Sequence, residues 1–98
     1  MSTKENGVLA ITRERKRQIA EGFDADHDDG HIRGEMVFAA ASYLVRNAFH
    51  DKTPPGYWPW DDSQWKPEKD RIAELKKAGA LIAAEIDRIN RVRGRLIQ

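Results

Sequence analysis

The chain has 98 residues, a formal net charge of +1 and no cysteine; 40% of its residues are hydrophobic and 34% charged. That length holds one domain with a modest core and a very polar surface, and the near-neutral balance excludes a chain-wide electrostatic commitment to nucleic acid or membrane. Disulfides and thiolate metal ligands are excluded outright.

Residues 1–11 are expected to form a loose N-terminal segment, and 12–98 a single helical domain. The pattern turns helical at Thr12, which can act as N-cap. Glu14 suits the first turn, and Ile11, Ile19 and Phe23 can share one stripe. Gly22 ends this helix near Phe23. A second helix starts between His27 and His31 and runs to about Phe49 or His50. Its body, Glu35 to Val45, is apolar on most sides, as a central helix would be. The small residues Ala39, Ala40, Ala41 and Ser42 let neighbours approach closely.

Asp51 to Pro67 holds all four prolines and all three tryptophans. Pro54, Pro55 and Pro59 preclude a regular helix there, and Pro67 suits the first position of the next one. The third helix, from about Pro67 to Arg93, has the clearest period. Ile72, Leu75, Gly79, Ile82, Ile86 and Ile89 alternate at spacings of three and four, a heptad-like seam widened by Leu81, Ala84 and Val92. Gly79 costs up to ~1 kcal/mol of helix propensity, which close packing of Ala78, Gly79 and Ala80 on the alanines of the second helix would justify. The fold class is all-α: a compact three-helix domain with a Pro/Trp-rich loop between the second and third helices. A core this small gains from being shared, so a homo-oligomer is expected.

The candidate site is Asp24 to His31, DADHDDGH, with four carboxylates and two of the three histidines in eight residues. Three readings stand. Asp24, Asp26, Asp28 and Glu35 fall at positions 1, 3, 5 and 12 of a calcium loop, but Asp29 occupies the glycine position and His31 the aliphatic one. Alternatively, His27, His31 and Glu35 recur at i, i+4 and i+8 on one helix face beside Asp28, and would ligate a divalent metal. Magnesium or manganese is preferred over zinc or calcium, and such an ion would bridge nucleotide phosphates, with Arg13 or Arg17 compensating charge. In the third reading Asp28 or Asp29 caps the second helix and the cluster is a structured turn. Four acids exceed what a cap needs. His50 lies at the far end of the second helix, outside this group.

Tyr57, Trp58, Trp60 and Trp65 offer either a stacking platform for a base or an apolar cap on the helical core, and the two are compatible. Basic blocks at Arg13, Arg15, Lys16 and Arg17 and at Arg88, Arg91, Arg93 and Arg95 flank the acidic stretch; such runs are usually solvated faces, and they could also steer an anion.

The run Glu14-Arg-x-Arg-Gln18, then Gly22-Phe23-x3-His27-Asp-Asp-x-His31-x2-Gly34-Glu35, then Ala39-Ala-Ala-x-Tyr43, resembles small helical proteins encoded by phages and prophages. Their later pattern, WPWD then WKP then KAGALIAAEIDR, is similar to Trp58 to Pro67 and Lys77 to Arg88 here. The resemblance implies a phage context more than an activity. The architecture also resembles MazG-type all-α nucleoside triphosphate pyrophosphatases, whose pairing of an ExxE with an ExxD motif this chain lacks. Together these readings suggest a phage accessory protein in the cytoplasm of an infected or lysogenic bacterial host. It would bind a nucleotide or another small phosphorylated ligand, with no membrane partner: no apolar run reaches membrane-spanning length, and MSTKENGVLA lacks the apolar stretch of a signal peptide. Glu14, His31 and Glu35 would be catalytic in a phosphoanhydride hydrolysis; Arg13, Arg17, Trp58 and Trp60 would hold the ligand; His27, Asp28, His31 and Glu35 the metal. The alternative is a non-enzymatic interaction protein that inhibits a host defence or replication protein.

Overall fold

The computed structural model describes residues 5–45 and 53–97. Among these residues four α-helices follow one another: α1 (Gly7–Ala20), the single-turn α2 (Ala25–Asp28), α3 (Glu35–Leu44) and α4 (Arg71–Ile97), with a 3-10 turn at Asp62–Gln64 in the long connection before α4. Among the described residues there is no strand. The expected all-α class holds.

α1 begins at Gly7, not beyond Thr12. Asn6, extended at φ −74° and ψ 166°, is its N-cap, and the Asn6 side-chain oxygen accepts from the backbone N–H of Leu9 at 2.9 Å. Thr12 lies inside the helix, its hydroxyl donating back to the Val8 carbonyl. Residues 7–11, expected in a loose segment, therefore form the opening turn of α1. Gly22, at φ 106°, turns the chain out of the helix where a side chain would be strained.

The expected second helix is divided in two. Asp24 caps α2 by accepting from the His27 N–H, and α2 stops after one turn. Gly34, at φ 81°, then stands at the N-cap of α3. Its left-handed backbone bends the chain between His31 and Glu35. His27, His31 and Glu35 therefore share no helix face. Residues 46–52, where the sequence places the end of this helix and His50, lie outside the described residues.

α4 is the spine on which the other helices rest. Arg71 at its start donates to the carbonyls of Tyr43 and Leu44 at the end of α3, at 2.9 and 2.6 Å. Arg91 and Arg95 near its other end hold Asp29, ahead of α3. α3 thus runs antiparallel to α4. The start of α1 lies along the N-terminal half of α4, where Ile11 sits over Gly79: a Cβ on Gly79 would stand 2.5 Å from Ile11 Cδ1. α1 and α3 each pack on α4 far more than on each other.

The buried cluster joins Ala39, Ala40 and Tyr43 of α3 to Ala78 of α4 and to Trp58 and Trp65 of the long connection, with Trp60 and Leu81 on its edge. Alanines at the α3–α4 contact allow the close approach expected of them. Gly79 serves α1 instead, making room for Ile11. The heptad seam is not the core: Ile72, Leu75, Ile82 and Ile86 remain 62, 43, 43 and 53% exposed. α4 starts at Arg71, beyond Pro67, where the Asp70 carboxylate accepts from the Ile72 N–H. No helix among the described residues is long and apolar enough to cross a membrane.

Candidate functional site

An open cleft of about 880 Å³ lies between α1, the α2 turn and the tryptophan loop, with α4 as its floor. α1 contributes Glu14, Arg15, Arg17 and Gln18; the turn contributes Phe23, His27, Asp28 and His31. Trp58, Trp60 and Lys66 come from the loop, and Lys76, Lys77, Leu81 and Ala84 from α4.

Three of the four acids of DADHDDGH have separate partners, and Asp26 is exposed. Asp24 caps α2. Asp28 is 2% exposed; its Oδ2 accepts from Arg15 Nη2 at 2.6 Å, and its Oδ1 lies 3.3 Å from His27 Nδ1. The other end of the Arg15 fork donates to the Phe23 carbonyl at 2.8 Å. Asp29 accepts from Arg91 at 2.8 and 3.1 Å and from Arg95 at 3.0 Å. Hydrogen bonds from Arg91 and then Arg95 hold the Asp29 carboxyl below its ordinary value. The surplus of acid thus pairs with residues of both basic blocks. Neither Asp28 nor Asp29 is the expected N-cap: Asp24 and Gly34 hold those positions in α2 and α3, and Asp29 is the C-cap of α2.

The expected ligand set meets in pairs. His31 Nδ1 lies 3.7 Å from Glu35 Oε2, while Asp28 is taken by Arg15 and His27. Among the described residues no three His, Asp or Glu side chains converge as a metal ion would require. Glu35 accepts from the Arg33 N–H at 2.6 Å and stands outside the cleft lining. Burial pushes its carboxyl up, but backbone hydrogen bonds at its own N–H and at Arg33, with the charge of His31, outweigh that and hold it low.

What does converge is aromatic. Ring centroids step from Phe23 to His27 at 5.0 Å, His27 to His31 at 4.8 Å, His31 to Trp60 at 5.2 Å and Trp60 to Trp58 at 5.4 Å. From Trp58 the ladder enters the core at Trp65 and Tyr43, at 4.9 and 5.6 Å. Edge-to-face contacts predominate, the arrangement ring quadrupoles favour. The apolar-cap reading of the loop holds for Trp58 and Trp65, which are core, with the Trp58 indole N–H donating to the Asp61 carbonyl at 3.1 Å, while Trp60 edges the cleft. His31 Nε2 is buried there without a hydrogen-bond partner.

Along α1, Arg17 Nε and Nη2 grip both oxygens of Glu14 at 2.7 Å, and Arg17 Nη1 reaches Glu21 at 2.8 Å. Burial alone would raise the Glu14 carboxyl; Arg17, with Gln18 and Lys77, overrides this and keeps it below its ordinary value. Glu14 is therefore an ionised carboxylate committed to Arg17. Arg13 faces away from the cleft and pairs with Glu5 at 3.0 Å. Its place is taken by Arg15, two residues on. On the floor, Lys77 Nζ donates to the Lys66 carbonyl at 2.7 Å and lies 5.4 Å from the Tyr43 ring centroid.

Sequence reasoning passed over Lys66 and Lys77, and gave Arg15 and Phe23 only a place in a basic block and an apolar stripe. Phe23 and His27 are four residues apart, a spacing that could have flagged the first step of the ladder; nothing local marks Lys66 or Lys77. Compared with known protein families, curated proteins and solved structures, the chain matches none of them.

Proposed function

We propose that the cleft binds a phosphorylated, nucleotide-like ligand, its ring against Trp60 and His31 and its phosphates toward Arg17, Lys66 and Lys77. One observation carries this reading: a single cleft holds both an aromatic edge and several cations. Stacking on an indole is tolerant of base identity, and ammonium and guanidinium groups supply the charge for phosphate. Arg17 and Lys77 already have carboxylate partners, so a phosphate competes with Glu14 and Glu68, and binding should be modest and sensitive to salt. The reading uses no metal, because the donors that were expected to hold one are engaged in pairs. The resemblance to phage and prophage proteins would set such binding in an infected or lysogenic bacterium. Hydrolysis of a phosphoanhydride would require Glu14 to leave Arg17 before it could activate water.

Titration of tryptophan emission with nucleoside triphosphates, monophosphates, free nucleosides and inorganic phosphate tests the reading. Nucleotides should quench most, and Trp60→Ala should remove most of the response. Unchanged emission and an unchanged thermal midpoint at millimolar concentration of every compound would sink it. Product analysis on the same samples tests hydrolysis.

The outward side of α3 favours the second reading, an interaction protein. Val37, Phe38, Leu44 and Val45 are 41–52% exposed there. If that reading holds, Phe38→Asp should abolish the biological effect of the protein while leaving any nucleotide response intact.

A further inference from the structure

The heptad seam of α4 faces away from the cleft. The cleft takes Ala73, Lys76, Lys77, Leu81 and Ala84 from α4; all but Lys76, which borders Ile72, lie on a helical wheel opposite Ile72, Leu75, Ile82 and Ile86. Those four are 43–62% exposed. At the glycine position Ile11 of α1 fills the place of a side chain, so the apolar row continues without a gap. Beside its N-terminal half, Gly7, Ala10, Ile11, Ile72 and Leu75 wall a shallow depression of about 160 Å³.

We infer that this seam joins two copies of the chain, α4 against α4, in an antiparallel pair about a twofold axis near Gly79 and Ile82. A six-position a/d row is built for a helix carrying the same row, and an isologous contact needs only one such surface. The four exposed side chains alone amount to about 400 Å² of apolar surface per chain, the size that marks an interaction site. Doubled and flanked by their neighbours, they reach the lower range of specific interfaces, about 1,000 Å².

Charge decides the direction. The next a position after Ile89 is Arg93, which is exposed. A parallel pair in register sets Arg93 against its own copy, and Arg71 beside Lys76 at the flanking positions, both like-charged contacts. An antiparallel pair carries Arg93 to the start of the other α4, where Asp70 is exposed. It also sets Ile72 against Ile89 and Leu75 against Ile86, aiming isoleucines at the shallow depression. The cleft remains open on the far side, so this inference does not depend on what the cleft binds.

Sedimentation equilibrium across 1 µM to 1 mM tests it. Twice the chain mass is expected, with Ile82→Glu/Ile86→Glu weakening association by on the order of 100-fold while helical circular dichroism is retained. Because the chain has no cysteine, Ile82→Cys puts a single thiol on the seam and Asp87→Cys a single thiol off it. The first should oxidise to a disulfide-linked dimer at least tenfold faster than the second. If the double glutamate variant unfolds, the thiol pair decides. A monomeric mass at 1 mM, a dimer indifferent to the seam substitutions, or equal cross-linking of the two thiols would each overturn the inference.

Discussion

Arg15 and Asp28 meet at 2.6 Å with their side chains 11 and 3% exposed, joining α1 to the α2 turn across thirteen residues of chain. Removing one partner of so buried a pair strands the other charge out of water. Asp28→Ala should therefore destabilise the fold by about 3 kcal/mol, read as a lowered urea midpoint at unchanged slope. The double variant Asp28→Ala/Arg15→Met should recover much of that loss; failure to recover would mean that the pair is not the source of the cost.

Acid should act through Asp29. Hydrogen bonds from Arg91 and Arg95 depress its folded-state pKa below the ordinary 3.8, so its stabilising contribution is fully present above the unfolded value. It is lost as pH falls through the lower folded value. Thermal midpoints followed from pH 6 to pH 2 should drop more steeply in the natural protein than in Asp29→Asn. The difference should shrink in 1 M salt, because the pair is solvent-facing.

Gly79 and Ile11 should be coupled. A methyl at Gly79 gains up to ~1 kcal/mol of helix propensity but meets Ile11 Cδ1 and Cγ1 at 2.5 and 2.7 Å. Gly79→Ala should cost about 1–2 kcal/mol in the natural background and turn neutral or stabilising when combined with Ile11→Ala. Additive effects in that cycle would show that Ile11 moves aside freely.

The two kinds of tryptophan should separate in denaturation. Trp65, 5% exposed and stacked on Tyr43 at 4.7 Å, should cost about 3–5 kcal/mol when replaced by alanine. Trp60, on the cleft edge, should cost under about 2 kcal/mol. Equal costs would make Trp60 part of the core rather than a wall of the cleft.

The helical class was legible because period and composition are local properties. The partners of each face were not. The seam from Ile72 to Ile89 has the right spacing, but spacing names no neighbour: α3 packs beside the row, and α1 meets it only where Gly79 leaves room for Ile11. The break at Gly34 was missed because an apolar run looks continuous until one glycine adopts a left-handed backbone. His27, His31 and Glu35 therefore lost the register that their spacing implied, although the turn still brings the two histidine rings together. Asp29 with Arg91 and Arg95, more than sixty residues apart, leaves no local trace at all. Trp60 in the cleft and Trp58 and Trp65 in the core were readable as a mixture, without the assignment of each.

Every substantial contact between described helices includes α4. α1 and α3 thus have no large surface to bury against each other, and α1 meets its partner only across most of the chain's length. During synthesis the first seventy residues carry the rings of Tyr43, Trp58 and Trp65 but none of the helix on which α1 and α3 pack. Docking of α1 and α3 must wait for α4 to emerge, so on a ribosome stalled before Arg71 these two helices should be open to protease.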